Sequence, residues 1–127
     1  MSTLNNSYIA VIDDESSLCT SLSRLLRLAG FQPISYLSAE AFLTDRTRPQ
    51  FDCLLLDIRL GGMSGLDLFR LLGTEKSCPP VIFITAFDDD QLRVQAESLG
   101  SAGFFSKTTP GAEIIKAVRH AIPRHAA

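Results

Sequence analysis

Five side chains in this sequence have the chemistry of a reactive site: Asp13, Asp14, Asp57, Thr85 and Lys107. Each lies at the far end of a short apolar run. Asp13 closes the run Tyr8 to Asp13, with Asp14 next to it; Asp57 closes Phe51 to Asp57, Thr85 closes Val81 to Thr85, and Lys107 directly follows Gly103 to Ser106. If these runs are parallel strands of one open sheet, their carboxyl ends share a rim, and ligands bind there where the strand order reverses. Like charges about 4 Å apart repel by roughly 4 kcal/mol per pair at an effective dielectric of about 20. Three converging carboxylates therefore need a cation, a proton or the nearby ammonium of Lys107. An all-oxygen set that keeps several waters suits a hard divalent ion, Mg²⁺. Taken singly, Asp14 or Asp57 reads as a helix-capping acid at a strand end. Three acids, a hydroxyl and a lysine on successive strand ends read as a site.

The elements that must position these groups are legible as alternating βα units. Ile9 to Ile12, Cys53 to Leu56 and Val81 to Ile84 are apolar at consecutive positions, as strands covered by helices on both faces should be. They belong in the middle of the sheet. The run Gln32 to Tyr36 contains Pro33, which cannot donate to a ladder and so marks an edge, and the short Gly103 to Ser106 suits the opposite edge. The expected fold is a single α/β domain, a flavodoxin-like (βα)5 doubly wound parallel sheet in the order 2-1-3-4-5.

Helices are expected between the runs. Leu18, Leu22, Leu25, Leu26 and Ala29 recur at helical spacing before Gly30. Ser38 caps a shorter helix through Ala39, Ala41, Phe42 and Leu43, and Ser64 with Asp67 resembles a capping box for Leu66 to Leu72. Asp88 to Asp90 precede a weaker helix, Gln91 to Leu99, closed by Gly100. Thr109 as cap, Pro110 at the first position and Pro123 as terminator bound the last helix.

Composition removes several classes of function. The chain has 127 residues, 46% of them hydrophobic, enough for the core of one domain. Lys+Arg of 12 against Asp+Glu of 14 offers no basic footprint, so direct nucleic-acid binding is not expected. Cys19, Cys53 and Cys78 are an odd, widely spaced set that fits neither a disulfide framework nor a zinc site, which points to a reducing, cytoplasmic setting. No apolar run is long enough to span a bilayer.

The motifs Ile12-Asp13-Asp14-Glu15, Leu56-Asp57-Ile58-Arg59, Gly62-Met63-Ser64-Gly65, Thr85-Ala86 and Ala102-Gly103-Phe104-Phe105-Ser106-Lys107 resemble a receiver domain of bacterial two-component response regulators. The likeness runs from about Tyr8 to Ile122, with residues 1–7 and 123–127 as loose termini of a single domain over 1–127. It implies a phosphoprotein of signal transduction in which Asp57 accepts a phosphoryl group from the phosphohistidine of a sensor histidine kinase or phosphotransfer protein. It further implies Mg²⁺ held by the side chains of Asp14 and Asp57 and the backbone carbonyl of Arg59, with Asp13 acting through water. Lys107 would pair with Asp57 and then with the phosphoryl oxygens. Thr85 would swing its hydroxyl to the phosphoryl group while Phe104 rotates inward, reshaping the face of the fourth helix, fifth strand and fifth helix. The chain would modify itself and turn over no separate substrate, so it is not read as an enzyme.

Arg59 and the Gly62 to Gly65 stretch are most similar to FixJ-type receivers, which precede a helix-turn-helix domain. Only Pro123 to Ala127 follow the last helix, so the chain is expected to be either a stand-alone receiver addressing an effector protein or the receiver portion of a longer transcriptional regulator. A phosphorylation-dependent homodimer is compatible with either.

Two positions depart from the family. Thr108 stands where a cis proline usually follows the lysine; a cis Lys107-Thr108 bond would cost about 2.5–4 kcal/mol, so a trans bond and a rearranged loop are expected. Gly61 replaces another usual proline and loosens the loop after Asp57. An altered Lys107 loop would suit the alternative reading, an interaction module with weakened or phosphorylation-independent switching. An aspartyl phosphatase would need a second acid where Arg59 stands. The glycines at 61, 62 and 65 lack the Gly-Lys-Ser/Thr ending of a nucleotide loop. His120 and His125 read as surface residues and Cys53 as core.

Overall fold

The computed structural model describes residues 7–74, 78–86 and 90–122. The expected loose termini, Asp88 and Asp89, Pro123 and His125 lie outside those residues, apart from Ser7. The elements run β1 (Tyr8–Ile12), α1 (Ser16–Leu28), β2 (Gln32–Tyr36), α2 (Ala39–Thr44), β3 (Cys53–Leu56), α3 (Gly65–Leu72), β4 (Val81–Thr85), α4 (Asp90–Ser98), β5 (Gly103–Ser106) and α5 (Gly111–Ala121). All five strands pair in parallel in the order β2-β1-β3-β4-β5. Pro33 lies on the edge strand, as its missing N–H requires.

Strand alternation divides the core into two layers. Ala10, Ile12, Leu54, Leu56 and Phe83 face α2, α3 and α4, where Phe42, Leu68, Phe69 and Ala96 meet them. Ile9, Val11, Leu55, Ile82 and Ile84 face α1 and α5, where Leu22, Leu26, Ile114 and Val118 meet them. The three central strands are buried on both faces, which is why their sequences show no alternation of polarity.

Local signals at the helix ends hold with two differences. Gly30 and Gly100 take the left-handed conformation (φ 97° and 90°) that stops α1 and α4. Ser38 accepts a hydrogen bond from the Ala41 amide, and Ser64 accepts one from Asp67. The Asp67 carboxylate, however, pairs with Arg70 at 3.2 Å. At α5 the cap lies one residue later than the sequence suggests: Pro110 is the N-cap, with extended backbone, and its carbonyl accepts the amides of Glu113 and Ile114. Thr109 instead belongs to the turn after β5, its amide donating to the Ser106 carbonyl.

Candidate functional site

The sheet register carries the polar groups to one place. Beyond the last β1 pairs, Ile12 with Tyr36 and with Leu56, the Asp13 amide donates to the Tyr36 carbonyl and the Asp57 amide to the Ile12 carbonyl. Asp13 and Asp57 are thus fixed side by side at the carboxyl ends of β1 and β3, the neighbouring strands between which the strand order reverses. On the other flank, Thr85 pairs with Ser106, and the Lys107 amide donates to the Thr85 carbonyl at 2.8 Å.

Asp13 and Asp57 are almost wholly buried, at 3% and 4% exposure, while Asp14 faces solvent. One carboxylate oxygen from each of the three lies within 4.8 Å of the others. The Lys107 ammonium reaches into the cluster, 3.1 Å from Asp57 Oδ2, 3.0 Å from Asp13 Oδ2 and 3.3 Å from Glu15 Oε1. Asp13 Oδ1 also accepts the Glu15 amide, and Asp57 Oδ1 accepts the Arg59 amide. Asp13 thus turns the chain into α1 without serving as its N-cap, a position held by Glu15, whose side chain makes no capping hydrogen bond.

Burial, and next the charge of Asp13, push the Asp57 carboxyl above its ordinary value, against the lowering effects of the Arg59 amide and Lys107. Burial alone would lower Lys107, but its hydrogen bonds to Asp13 and Asp57 and their charges outweigh it and hold the ammonium above its ordinary range. Lys107 is therefore a cation at neutral pH. Three carboxylates against one ammonium leave negative charge uncompensated, and the donors are all hard oxygens, so the cluster fits a divalent cation such as Mg²⁺.

The loop departures have specific consequences. The Lys107-Thr108 peptide is trans. The turn after it is held by Ser106, whose hydroxyl accepts the Thr108 amide at 3.0 Å and lies 2.7 Å from the Thr108 hydroxyl. This rearrangement does not shorten the reach of Lys107. The loop after Asp57 is closed at its base by the Gly65 amide on the Ile58 carbonyl, 2.9 Å. A side chain on Gly65 would run into the Asp57 carbonyl, so this glycine permits the close approach of α3 to the site. At the tip, the Met63 amide donates to Glu40 Oε2 of α2 at 2.8 Å.

Thr85 is fully buried beside this rim. Phe104 is buried against Phe83, with ring centroids 6.4 Å apart, and the Arg93 guanidinium of α4 lies 4.6 Å from its ring centre. Without a tyrosine hydroxyl, burial alone would be expected to separate inward and outward states of this ring. A cation–π contact adds to the burial of this ring in the arrangement seen. Glu15, Glu40 and Arg93 are the additions to the sequence-derived set. Glu15 adjoins the acidic pair and was within reach of sequence reasoning; Glu40 and Arg93 act across the fold and carry no local signal.

An open doubly wound sheet with an acidic cluster at its switch point and a lysine across from it defines a class of rim-binding α/β domain. Comparison with known proteins sharpens this. The chain belongs to the response regulator receiver domain family, whose profile matches residues 9–119. It is 36% identical to the response regulator protein TodT of Pseudomonas putida over 91% of this chain and 51% of that protein. It is also 36% identical to the transcriptional regulatory protein FixJ of Azorhizobium caulinodans, over 93% of this chain and 56% of that one. The chain thus spans about half the length of these relatives. Among solved structures, FixJ-N superposes with a TM-score of 0.85 at 32% identity, covering 98% of this chain and 99% of that one. Vibrio cholerae CheY4, at 16% identity and TM-score 0.84 over 92% of this chain and 99% of that one, shares the fold. Residues 9–119 are thus a receiver domain of two-component response regulators. No helix among the described residues is long and apolar enough to cross a membrane.

Proposed function

We propose that the chain is a single phosphoacceptor domain in which Asp57 takes a phosphoryl group from the phosphohistidine of a sensor kinase or phosphotransfer protein. The observation that carries this reading is the Lys107 ammonium bridging two buried carboxylates, Asp13 and Asp57, with Asp14 at the solvent side. A carboxylate whose charged form is disfavoured by burial is a stronger nucleophile than one in water. An oxygen of Asp57 attacks phosphorus, the phosphorus–nitrogen bond breaks, and the imidazole leaves with the electron pair and takes up a proton. The product is an acyl phosphate, and the chain is altered without turning over a separate substrate.

Lys107, already protonated, offers its charge to the oxygens of the incoming group, and positioning plus charge neutralisation supply most of phosphoryl-transfer catalysis. The side chains of Asp14 and Asp57 and the Arg59 carbonyl, with Asp13 through water, would hold Mg²⁺. The ion supplies further positive charge for the phosphoryl oxygens. Thr85 and Phe104 would carry the new charge outward to the α4-β5-α5 face, a two-state element biased by modification. The setting is cytoplasmic, and the output is read by an effector protein or by an effector domain outside residues 1–127, the chain itself making no nucleic-acid contact.

The test is incubation with acetyl phosphate and Mg²⁺ followed by intact mass, beside Asp57→Asn. One phosphoryl adduct in the wild type, absent in the variant, is the expected result. No adduct from acetyl phosphate or from candidate kinases would overturn it in favour of a phosphorylation-independent interaction module.

A further inference from the structure

The loop from Ile58 to Gly65 carries the Arg59 carbonyl and borders Asp57, yet its tip is Gly61-Gly62, the least restrained dipeptide a chain can offer. Its base is held by the Gly65 amide on Ile58 and by the Arg59 amide on Asp57. Among the described residues, the tip segment 61–63 has one hydrogen bond, from the Met63 amide to Glu40 Oε2. Glu40 lies in the first turn of α2, 23 residues away. That turn also favours an anionic side chain through the helix dipole. The Met63 bond is the leading reason the Glu40 carboxyl is held below its ordinary value. The fit is close: a Cβ on Gly62, whose φ is +74°, would stand 2.7 Å from the same Glu40 oxygen. Gly62 therefore does two things at once, adopting the left-handed turn and leaving room for the carboxylate.

We propose that Glu40 is a positioning residue of the phosphoacceptor site, a strap from α2 that restrains the glycine loop. Where a proline would stiffen the chain covalently, this sequence uses a carboxylate from another element. The strap presents the Arg59 carbonyl and the Asp57 approach in one arrangement. Without it, ordering the loop becomes a cost charged to cation binding and phosphoryl uptake. This inference rests on the phosphoacceptor reading above, since the restrained carbonyl matters to function only if Mg²⁺ binds there.

The experiment compares wild type, Glu40→Ala and Glu40→Gln for phosphorylation by acetyl phosphate across a Mg²⁺ titration, with Met63 amide exchange followed by NMR. Alanine at 40 is a good helix former, so folding should survive, and a melting curve checks it. Glu40→Ala should raise the half-saturating Mg²⁺ concentration about three- to tenfold, the range set by losing one exposed charge-assisted hydrogen bond. The rate at saturating Mg²⁺ should stay within about twofold, and Met63 exchange should quicken by a similar factor. Glu40→Gln, which keeps an acceptor oxygen, should lie near wild type in both readouts. Unchanged Mg²⁺ dependence in Glu40→Ala, or a glutamine variant as impaired as alanine, would overturn the proposal. If wild type itself takes up no phosphoryl group, the phosphoacceptor reading fails instead. The strap is then judged by Met63 exchange alone, and an unchanged rate in Glu40→Ala rejects it.

Discussion

Replacing Asp57 by asparagine should stabilise the metal-free protein at neutral pH, although it removes an ion pair. At a separation of no more than 4.8 Å and an effective dielectric of about 20, each neighbouring carboxylate repels Asp57 by at least about 3.5 kcal/mol. Asp14 faces solvent, which screens its share. The attraction of Lys107 Nζ at 3.1 Å is about 5 kcal/mol on the same scale. These contributions nearly cancel, so the desolvation of a carboxylate only 4% exposed decides the sign. Its raised protonation equilibrium, with burial as the first cause, points the same way. Asparagine keeps the shape and an acceptor for the Arg59 amide but loses the bond to Lys107, worth about 1 kcal/mol. The net gain should be about 1–2 kcal/mol, or about 3–8 °C in Tm for a domain of this length.

The dependence on pH gives the sharper check. A carboxyl raised in the folded state destabilises fully above its folded value. That penalty disappears as pH falls toward the ordinary carboxylate value of about 4, because the wild type then takes up the proton. The Tm advantage of Asp57→Asn in chelator should therefore be largest near about pH 7.5 and shrink toward about pH 4. Calorimetry at both pH values decides it. A lower Tm for the variant at neutral pH would mean that Lys107 attraction dominates, and an equal advantage at both would mean that charge is not the cause.

Other perturbations separate the remaining parts of the site. Lys107→Met leaves Asp13 and Asp57 buried without their cation and should cost about 3–5 kcal/mol, read by urea denaturation, with Mg²⁺ recovering part of the loss. Gly65→Ala drives a methyl into the Asp57 and Ile58 backbone and should lower stability by more than about 2 kcal/mol, whereas Gly61→Ala, where a Cβ meets open space, should change it by less than about 1 kcal/mol. Cys53, pushed up to about 12 by burial and then by Asp52, should resist a thiol reagent at about pH 8 until the protein unfolds, while half-buried Cys78 reacts in the native state.

Much of the architecture was legible because the physics that makes it is local. Apolar runs without alternation mark strands buried on both faces, Pro33 marks an edge, and Gly30, Ser38 and Ser64 satisfy helix ends from within a few residues. The cap of α5 was misplaced by one residue for the same reason: Thr109 and Pro110 are both acceptable starts, and the choice went to the turn that Ser106 builds after β5. The five polar residues of the rim could be listed from the sequence, since strand ends are points on a chain.

Distances and couplings between those points required the fold. That Lys107 reaches two buried carboxylates despite Thr108 depends on β4 and β5 being in register, with the Thr85 carbonyl fixing the lysine backbone. That Phe104 is held by Arg93 depends on α4 lying over β5, and no spacing in the sequence encodes a cation over a ring. Glu40 is the clearest case, a surface glutamate by composition whose carboxylate reaches the loop beside Asp57 only because α2 and the β3–α3 loop meet at one end of the sheet. Residue type and local pattern determined which groups this protein possesses and which strand ends carry them. Tertiary structure alone decided which charges share a cation and which loop is held, because burial and separation belong to the packed sheet and not to the chain.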